Sequence, residues 1–184
     1  MSKYTFFNKI ISDGKLVAHL VSQMYEDFGY NYNSQMEDIK ELTVRIKEKY
    51  KIEIKYTFID FNDADNISKY GLKRSTALYV KHYPGNYYFV LNKNTNFNDN
   101  RFLFLKALGY ILFDWCEKEE ELRVTYETEA NKKDQLAFEF AYEFLLPKWK
   151  YQIIKKNHPE LTDDVLCDLV KHINKKLIEL KRGK

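Results

Sequence analysis

The sequence predicts a single α+β domain, because its hydrophobic pattern changes from helical to strand-like and back along the chain. Apolar residues recur at helical spacing in residues 15–50, alternate at strand spacing between residues 52 and 91, and return to helical runs from residue 101 onward. The chain has 184 residues, of which 45% are hydrophobic, so it can bury a core. Only 6 Gly and 3 Pro are present, which favours long elements with few tight turns.

Two helices and a strand are predicted before residue 60. Residues 15–28 and 34–50 carry apolar side chains at intervals of three and four, and Ser34 is predicted to cap the second helix. Residues 52–59 alternate apolar and polar side chains, which is typical of a half-buried strand. The polar segment that follows, residues 60–73, is predicted to be a loop.

A β-hairpin and two apolar helices are predicted in the middle of the chain. Residues 77–82 and 86–91 are strand-like and lie on either side of a Pro-Gly pair, which is a turn signal. Residues 101–115 are nearly all apolar and too numerous for a typical buried strand, so they predict a central buried helix. Residues 136–146 predict a second apolar helix, which Pro147 ends.

The last part of the chain is basic. Residues 148–184 carry ten Lys and Arg against five Asp and Glu, a local charge of +5 in a chain whose net charge is +3. A helix is predicted from Thr162 and Asp163 onward, so we divide the single domain, residues 1–184, into a core (10–147) and a basic helical extension (148–184). The extension could contact an acidic partner or a phosphate backbone, or its cations could simply favour the negative end of a helix dipole.

The sequence predicts a cytoplasmic protein with reduced thiols. No stretch reaches the roughly 18 apolar residues that a membrane helix requires, so no membrane partner is expected. The first ten residues, MSKYTFFNKI, lack the long apolar run of a secretion signal. The two cysteines, Cys116 and Cys167, form no recognisable metal or disulfide pattern.

Three segments occur in an order and spacing that match a known family. Residues 88–93 read YFVLNK, residues 101–115 read RFLFLKALGYILFDW, and residues 140–147 read FAYEFLLP. They resemble the strand ending I-x-[LV]-N, the helix R-F-[TS]-x-A-H-E-[LI]-G-H and the segment F-A-x-x-L-L-M-P of the ImmA/IrrE zinc metallopeptidases. The resemblance covers roughly residues 75–147. It implies a zincin-like single domain, in which a small sheet with its hairpin packs on the central apolar helix together with further helices.

The resemblance also places three residues where the family has its H-E-x-x-H motif. In that motif two histidines four residues apart bind one zinc ion, and the Glu activates the metal-bound water. Here the motif is replaced by Lys106-Ala-Leu-Gly-Tyr110. Lys106 is a cation, Ala107 cannot accept a proton, and the phenol of Tyr110 titrates at a pH of about 10. We therefore expect no metal, no cofactor and no peptidase activity.

The position of the family's third ligand, a Glu, is open from the sequence. Gapless counting back from Phe140 places Leu136 there, whereas a shifted alignment would place Glu129 there. Neither choice restores a zinc site, because the two histidines are missing in both cases.

Lys106 lies in the middle of an apolar helix, which leaves two interpretations. Its side chain could face solvent, or it could be buried against an acid, because a buried ammonium is costly unless it is paired. The second interpretation predicts a polar network that holds the two apolar helices together, with Tyr110 adding its hydroxyl. The candidate acids for this network are Glu129, Asp134 and Glu139.

Two groups of residues are candidates for a binding surface. Tyrosines crowd the hairpin around one lysine, where they could bind a protein, stack on bases or simply pack in the sheet. This group comprises Tyr79, Lys81, Tyr83, Tyr87 and Tyr88. The second group lies in the basic extension and comprises Lys175, Lys176, Lys181 and Arg182.

These observations together predict a metal-free relative of the ImmA/IrrE metallopeptidases that acts as a regulatory protein-binding module. The resemblance implies a phage or mobile-element context and a partner protein of the repressor type that binds DNA. Two alternatives stay open: a nucleic-acid-binding protein that uses the basic extension, and a hydrolase with a site that has no recognisable motif.

Overall fold

The fold combines six helices with one four-stranded sheet in the part of the chain that the structure describes. This computed structural model describes residues 13–30, 38–83, 86–113, 121–125, 132–162 and Val165. The helices are α1 (Asp13–Phe28), α2 (Ile39–Tyr50), α3 (Ala64–Tyr70), α4 (Phe97–Leu112), α5 (Lys132–Leu145) and α6 (Lys148–Asn157). The strands are β1 (Glu53–Ile59), β2 (Leu78–Tyr83), β3 (Asn86–Asn92) and β4 (Glu121–Val124). The predicted α+β class is thereby confirmed, and no described helix is long and apolar enough to cross a membrane.

The first two helices form where the apolar periodicity predicts them, but the start of α2 differs. Asp38 is the N-cap of α2, and its side chain accepts a hydrogen bond from the backbone N–H of Glu41 at 2.9 Å. The predicted N-cap, Ser34, is therefore wrong, and Ser34 itself lies outside the described residues. Asp38 is the better cap because an acid in the first turn, Glu41, stands three residues after it.

The segment predicted as a loop contains the short helix α3, so that prediction is wrong. Asp63 caps α3 by accepting a hydrogen bond from the backbone N–H of Asn66 at 3.0 Å. Gly71 ends the helix in the left-handed conformation, with φ of 55°. None of the helical residues is buried, so α3 is held by its caps and shows no apolar periodicity that could have predicted it.

The sheet has the order β1-β3-β2-β4. The predicted hairpin is confirmed, because β2 and β3 pair antiparallel with Tyr83 opposite Asn86. Strand β1 pairs parallel with β3 along its whole length, and β4 pairs antiparallel with β2. The four-residue strand β4 had no sequence signal of its own, since it is short and begins within an acidic run.

The two faces of the sheet are buried in different ways. The inner face packs against α4 in the main core, and its buried residues include Leu78, Val80, Phe89 and Leu91. The outer face carries a smaller cluster in which Leu72 covers Tyr79 and Val90. This alternation follows from the two-residue period of a strand, and it decides which hairpin tyrosines can reach a partner.

The two apolar helices, α4 and α5, pack closely against each other. A Cβ atom added at Gly109 would lie 3.0 Å from the Cα atom of Ala137, so the missing side chain allows the helix backbones to approach. Helix α4 begins at Phe97, earlier than predicted, because Asn96 caps it by accepting a hydrogen bond from the Asp99 N–H. Helix α1 also contacts α5, where the Tyr25 hydroxyl donates a hydrogen bond to the Phe144 carbonyl at 2.7 Å.

The basic extension is described only in its first part. Helix α6 occupies Lys148–Asn157, and the backbone N–H of Lys148 donates a hydrogen bond to the Glu143 carboxylate at 2.8 Å. The helix predicted from Thr162 onward lies outside the described residues, apart from Thr162 and Val165 themselves.

Candidate functional site

Lys106 lies at the centre of the contact between α4 and α5. Its side chain is 0% exposed, and its Nζ atom lies 2.8 Å from the Oδ1 atom of Asp134, whose side chain is 2% exposed. Nζ also donates a hydrogen bond at 3.0 Å to the backbone carbonyl of Thr125, which directly follows β4. The interpretation in which Lys106 faces solvent is therefore wrong.

Tyr110 reaches the same carboxylate from one helical turn further along α4. Its hydroxyl donates a hydrogen bond to Asp134 Oδ1, the oxygen that also accepts from Lys106. Residues four apart on a helix lie on the same face, and here both side chains point toward α5. Three side chains from two helices thus meet at one buried carboxylate oxygen, and we name Lys106, Tyr110 and Asp134 the buried triad.

An aromatic ring packs beside the triad. Lys106 Nζ lies 5.6 Å from the centre of the Phe138 ring, within the range of a cation–π interaction. Phe138 follows Asp134 by one helical turn and packs edge-on against Phe102, with ring centres 5.4 Å apart. The side chains of Lys106 and Asp134 are thereby shut off from water, which strengthens the attraction between ammonium and carboxylate.

The energetics of the triad follow from its burial. Taking an ammonium and a carboxylate out of water costs several kcal/mol for each ion, and their attraction repays this only when further hydrogen bonds satisfy the remaining atoms. Here the Thr125 carbonyl and the Tyr110 hydroxyl supply such bonds. Removing one ion alone would leave the other buried without its counter-charge, which typically destabilises a protein by about 3–5 kcal/mol.

Of the three acids named from the sequence, Asp134 is the one that the structure places against Lys106. Glu139 is on the same helix but is exposed, and Glu129 lies outside the described residues. Leu136, the position given by gapless alignment, is buried in the main core. Position 134 on α5 therefore faces both residue 106 and residue 110. It lies two residues before Leu136, the position that gapless alignment gives to the family's third ligand.

The residues at this position do not fit a zinc ion. The ammonium of Lys106 repels a cation, the side chain of the buried Ala107 has no donor atom, and the Tyr110 hydroxyl is already bonded to Asp134. In the described ranges, no three His, Cys, Asp or Glu side chains come together in a way that could hold a metal ion.

Two contributors to the triad were missed from the sequence. The ring of Phe138 stands one helical turn after Asp134, so helical spacing could have placed it on the α4 side once Asp134 was chosen. The Thr125 carbonyl could not be predicted from the sequence. It is a backbone acceptor, which any residue type supplies, and it follows a strand that was not predicted.

The predicted hairpin surface divides between the two faces of the sheet. Tyr79 is only 3% exposed, so its assignment to a binding surface is wrong. Its ring contacts that of Tyr70, with centres 5.6 Å apart, and burial raises the pKa of its hydroxyl, with Glu121 adding to the effect. Tyr87 is on the inner face, where it packs at the margin of the main core and stacks on His82 with ring centres 4.8 Å apart.

Lys81, Tyr83 and Tyr88 remain on the outer face. Tyr88 packs at the margin of the outer cluster, and Tyr83 is 47% exposed. The other predicted surface residues, Lys175, Lys176, Lys181 and Arg182, lie outside the described residues.

Comparison with known proteins adds no relative, since no protein-family model and no curated protein matches this chain.

Proposed function

We propose that this chain is a metal-free, non-catalytic relative of the ImmA/IrrE metallopeptidases and acts as a regulatory protein-binding module. The observation that carries the proposal is the buried triad. The positions that resemble the two zinc-binding histidines, Lys106 and Tyr110, converge on an acid from the next apolar helix, Asp134.

The convergence supports a zincin-like arrangement because it has the geometry of a three-ligand metal site. Two side chains four residues apart on one helix, and a carboxylate from a second helix, point at one place. In this chain the ammonium group of Lys106 takes the place that the zinc ion has in the metallopeptidases it resembles. The positive charge is thus supplied by the protein, and the carboxylate keeps a counter-charge without a metal.

The chemistry of the triad argues for binding and against hydrolysis. A hydrolase of this type needs a polarised water and a general base, and the base position is Ala107. Lys106 and Asp134 are both closed off from solvent, at 0% and 2% exposure. A substrate could reach them only if the structure around them opened.

The proposed partner is a DNA-binding regulator of the repressor type, and the proposed setting is a phage or mobile element. This part of the proposal follows from the resemblance, since members of the family often act on such regulators. A relative without zinc would still bind the regulator and thereby sequester or stabilise it.

The first experiment measures zinc and peptidase activity on the purified chain. We expect less than about a tenth of a zinc ion per chain after dialysis, and no cleavage of a casein or peptide library. Stoichiometric zinc together with cleavage that a chelator abolishes would show that the chain is a working hydrolase and that the proposal is wrong.

A second experiment tests whether residues 106, 110 and 134 are a former metal site. The double variant Lys106→His/Tyr110→His keeps Asp134 as a third ligand, so we expect it to bind one zinc ion and to unfold at a higher temperature when zinc is present. The matched control is Lys40→His/Val44→His, an exposed pair with the same spacing on α2. Equal zinc affinity in the two variants would remove the structural support for the family resemblance.

The partner itself is tested by capture from cells of the native host. We expect a tagged chain to recover one protein with a DNA-binding domain, and purified samples of the two to form a complex of defined stoichiometry. Recovery of nucleic acid alone, sensitive to nuclease, would instead favour the alternative of a nucleic-acid-binding protein.

A further inference from the structure

The outer face of the sheet carries a row of cationic and aromatic side chains across three strands. Lys55 on β1 pairs in register with Tyr88 on β3, and Tyr88 pairs with Lys81 on β2. Tyr83 lies two residues beyond Lys81 and therefore on the same face. Since neighbouring strands are about 4.8 Å apart, the two lysines stand roughly 10 Å apart with Tyr88 between them. We name Lys55, Lys81, Tyr83 and Tyr88 the outer row.

The outer row is accessible, whereas Tyr79 and Val90 in the neighbouring row are buried. Lys55 is exposed, Lys81 and Tyr88 are partly exposed, and Tyr83 is 47% exposed. Leu72 packs with Tyr79 and Val90, and Tyr88 lies at the margin of that cluster.

The two lysines of the outer row are not held in ion pairs by the described residues, although Glu121 stands opposite Lys81 in the sheet. Neither Lys55 nor Lys81 forms an ion pair with a described carboxylate. The Lys81 ammonium instead contacts the Tyr83 ring, whose centre is 5.5 Å from Nζ.

The two acids on the same face are already engaged. Glu53 forms an ion pair with Lys47 at 3.4 Å, and Glu121 forms one with Arg123 at 3.4 Å. Glu121 also helps to raise the pKa of the Tyr79 hydroxyl, which places it next to that side chain. The outer row therefore presents net positive charge beside two aromatic rings.

We propose that the outer row binds single-stranded nucleic acid. Bases would stack on the rings of Tyr83 and Tyr88, and phosphates would pair with the ammonium groups of Lys55 and Lys81. A flat sheet face suits splayed bases, and aromatic rings beside cations are the combination that single strands require. An acidic peptide would use the two lysines but gives no reason for the rings. This function goes beyond the proposed protein binding and does not depend on it.

The test measures fluorescence anisotropy of a labelled oligothymidine of about 12 nucleotides at several salt concentrations. We expect the intact chain to bind with an affinity that falls as salt rises, because phosphate contacts release counterions. The variant Lys55→Gln/Lys81→Gln should reduce the slope of log affinity against log salt by about 1.4, or about 0.7 for each lost phosphate contact. Tyr83→Leu should weaken binding roughly 5- to 150-fold through lost stacking and leave the slope unchanged.

Two controls locate the binding on the sheet. Lys40→Gln/Lys49→Gln removes two exposed cations from α2 and should change neither the affinity nor the slope by a comparable amount. The variant Lys175→Gln/Lys176→Gln/Lys181→Gln/Arg182→Gln neutralises four cations of the basic extension, and the effect of Tyr83→Leu should persist in that background. Circular dichroism confirms that each variant is folded before binding is measured.

Three results would overturn the proposal. The first is no measurable binding by the intact chain at low salt. The second is binding that survives Lys55→Gln/Lys81→Gln and disappears when the basic extension is neutralised. The third is competition by polyglutamate as effective as that by unlabelled oligonucleotide, together with no effect of Tyr83→Leu, which would identify an acidic protein segment as the ligand.

Discussion

Two lysine–tyrosine pairs in this chain use the same residue types in opposite ways. Lys106 and Tyr110 are four residues apart on a helix, and Lys81 and Tyr83 are two residues apart on a strand, so each pair lies on one face of its element. In the helical pair Lys106 is 0% exposed and Asp134 receives bonds from both side chains. In the strand pair Tyr83 is 47% exposed, and the lysine contacts the tyrosine ring.

The difference teaches that the surroundings, and not the residue types, decide what such a pair does. The helical pair has its hydrogen bonds and its counter-charge inside the protein, so its main effect is on stability. The strand pair leaves an ammonium group and a ring partly exposed to solvent, so it contributes little to stability and is available for binding.

Removing the shared acid should have the largest effect on stability. Asp134→Ala leaves the ammonium of Lys106 buried without its counter-charge, so we expect the free energy of unfolding to fall by about 3–5 kcal/mol. Chemical denaturation measures this loss. The matched control is Glu139→Ala, an exposed acid on the same helix, for which a change within about 0.5 kcal/mol is expected. Similar losses in the two variants would mean that the ion pair does not hold α4 against α5.

Replacing both ions together should recover most of that loss. Lys106→Met/Asp134→Leu removes both charges and fills the space with apolar atoms, and such exchanges of a buried ion pair are often neutral or stabilising by about 1–4 kcal/mol. Lys106→Met alone should instead cost about 3–5 kcal/mol, since the buried Asp134 then loses the ammonium group that it pairs with. A double-mutant cycle from urea denaturation gives the coupling energy. Additive losses would contradict a direct pairing.

Removing the hydroxyl of Tyr110 should have a smaller effect. Tyr110→Phe deletes one hydrogen bond to a charged acceptor and keeps the ring, so we expect a loss of about 1.5–3 kcal/mol. In the background of Lys106→Met/Asp134→Leu, the hydroxyl has no carboxylate to bond, and the same change should be close to neutral. An equal loss in both backgrounds would show that the hydroxyl acts independently of the triad.

The sequence predicted the parts of the fold and site that depend on local periodicity. Helix α1, the hairpin and the apolar helices carry strong patterns, and the burial of Lys106 could be proposed because its neighbours are apolar. Helix α3 and strand β4 were missed, since one is held by caps and the other is four residues long. The choice of Asp134 over Glu139 depends on the angle at which α5 packs on α4, which only the three-dimensional structure supplies.

The two faces of the hairpin show the same limit. Strand alternation places Tyr79 and its neighbour Val80 on opposite faces, but it cannot tell which stretch of the outer face Leu72 covers. Leu72 directly follows the C-cap of α3, the helix that the sequence did not predict. Tyr79 was therefore grouped with the surface residues, although it is buried.

The Tyr25 hydroxyl offers a test of burial by pH. Burial raises the pKa of Tyr25, with Glu143 adding to the effect, so the folded chain keeps the hydroxyl protonated where the unfolded chain loses its proton. Stability from this group is complete below a pH of about 10 and is lost as pH rises further. Tyr25→Phe should cost about 1 kcal/mol at neutral pH through its bond to Phe144, and should reduce the alkaline loss by up to about 1.4 kcal/mol per pH unit. The free energy of unfolding is measured from pH 7 upward for both Tyr25→Phe and the exposed control Tyr83→Phe. If the two variants lost stability in parallel as pH rises, this prediction would be wrong.

The strand pair should show the smallest effect on stability. Lys81→Gln and Tyr83→Leu alter side chains that are partly or largely in solvent, so each should change the free energy of unfolding by no more than about 0.5 kcal/mol. Chemical denaturation under the conditions used for Asp134→Ala gives a direct comparison of the two pairs. A loss of several kcal/mol from either change would mean that the strand pair, like the helical pair, stabilises the fold. A small loss leaves its charge and its ring free to bind a ligand at little cost to folding.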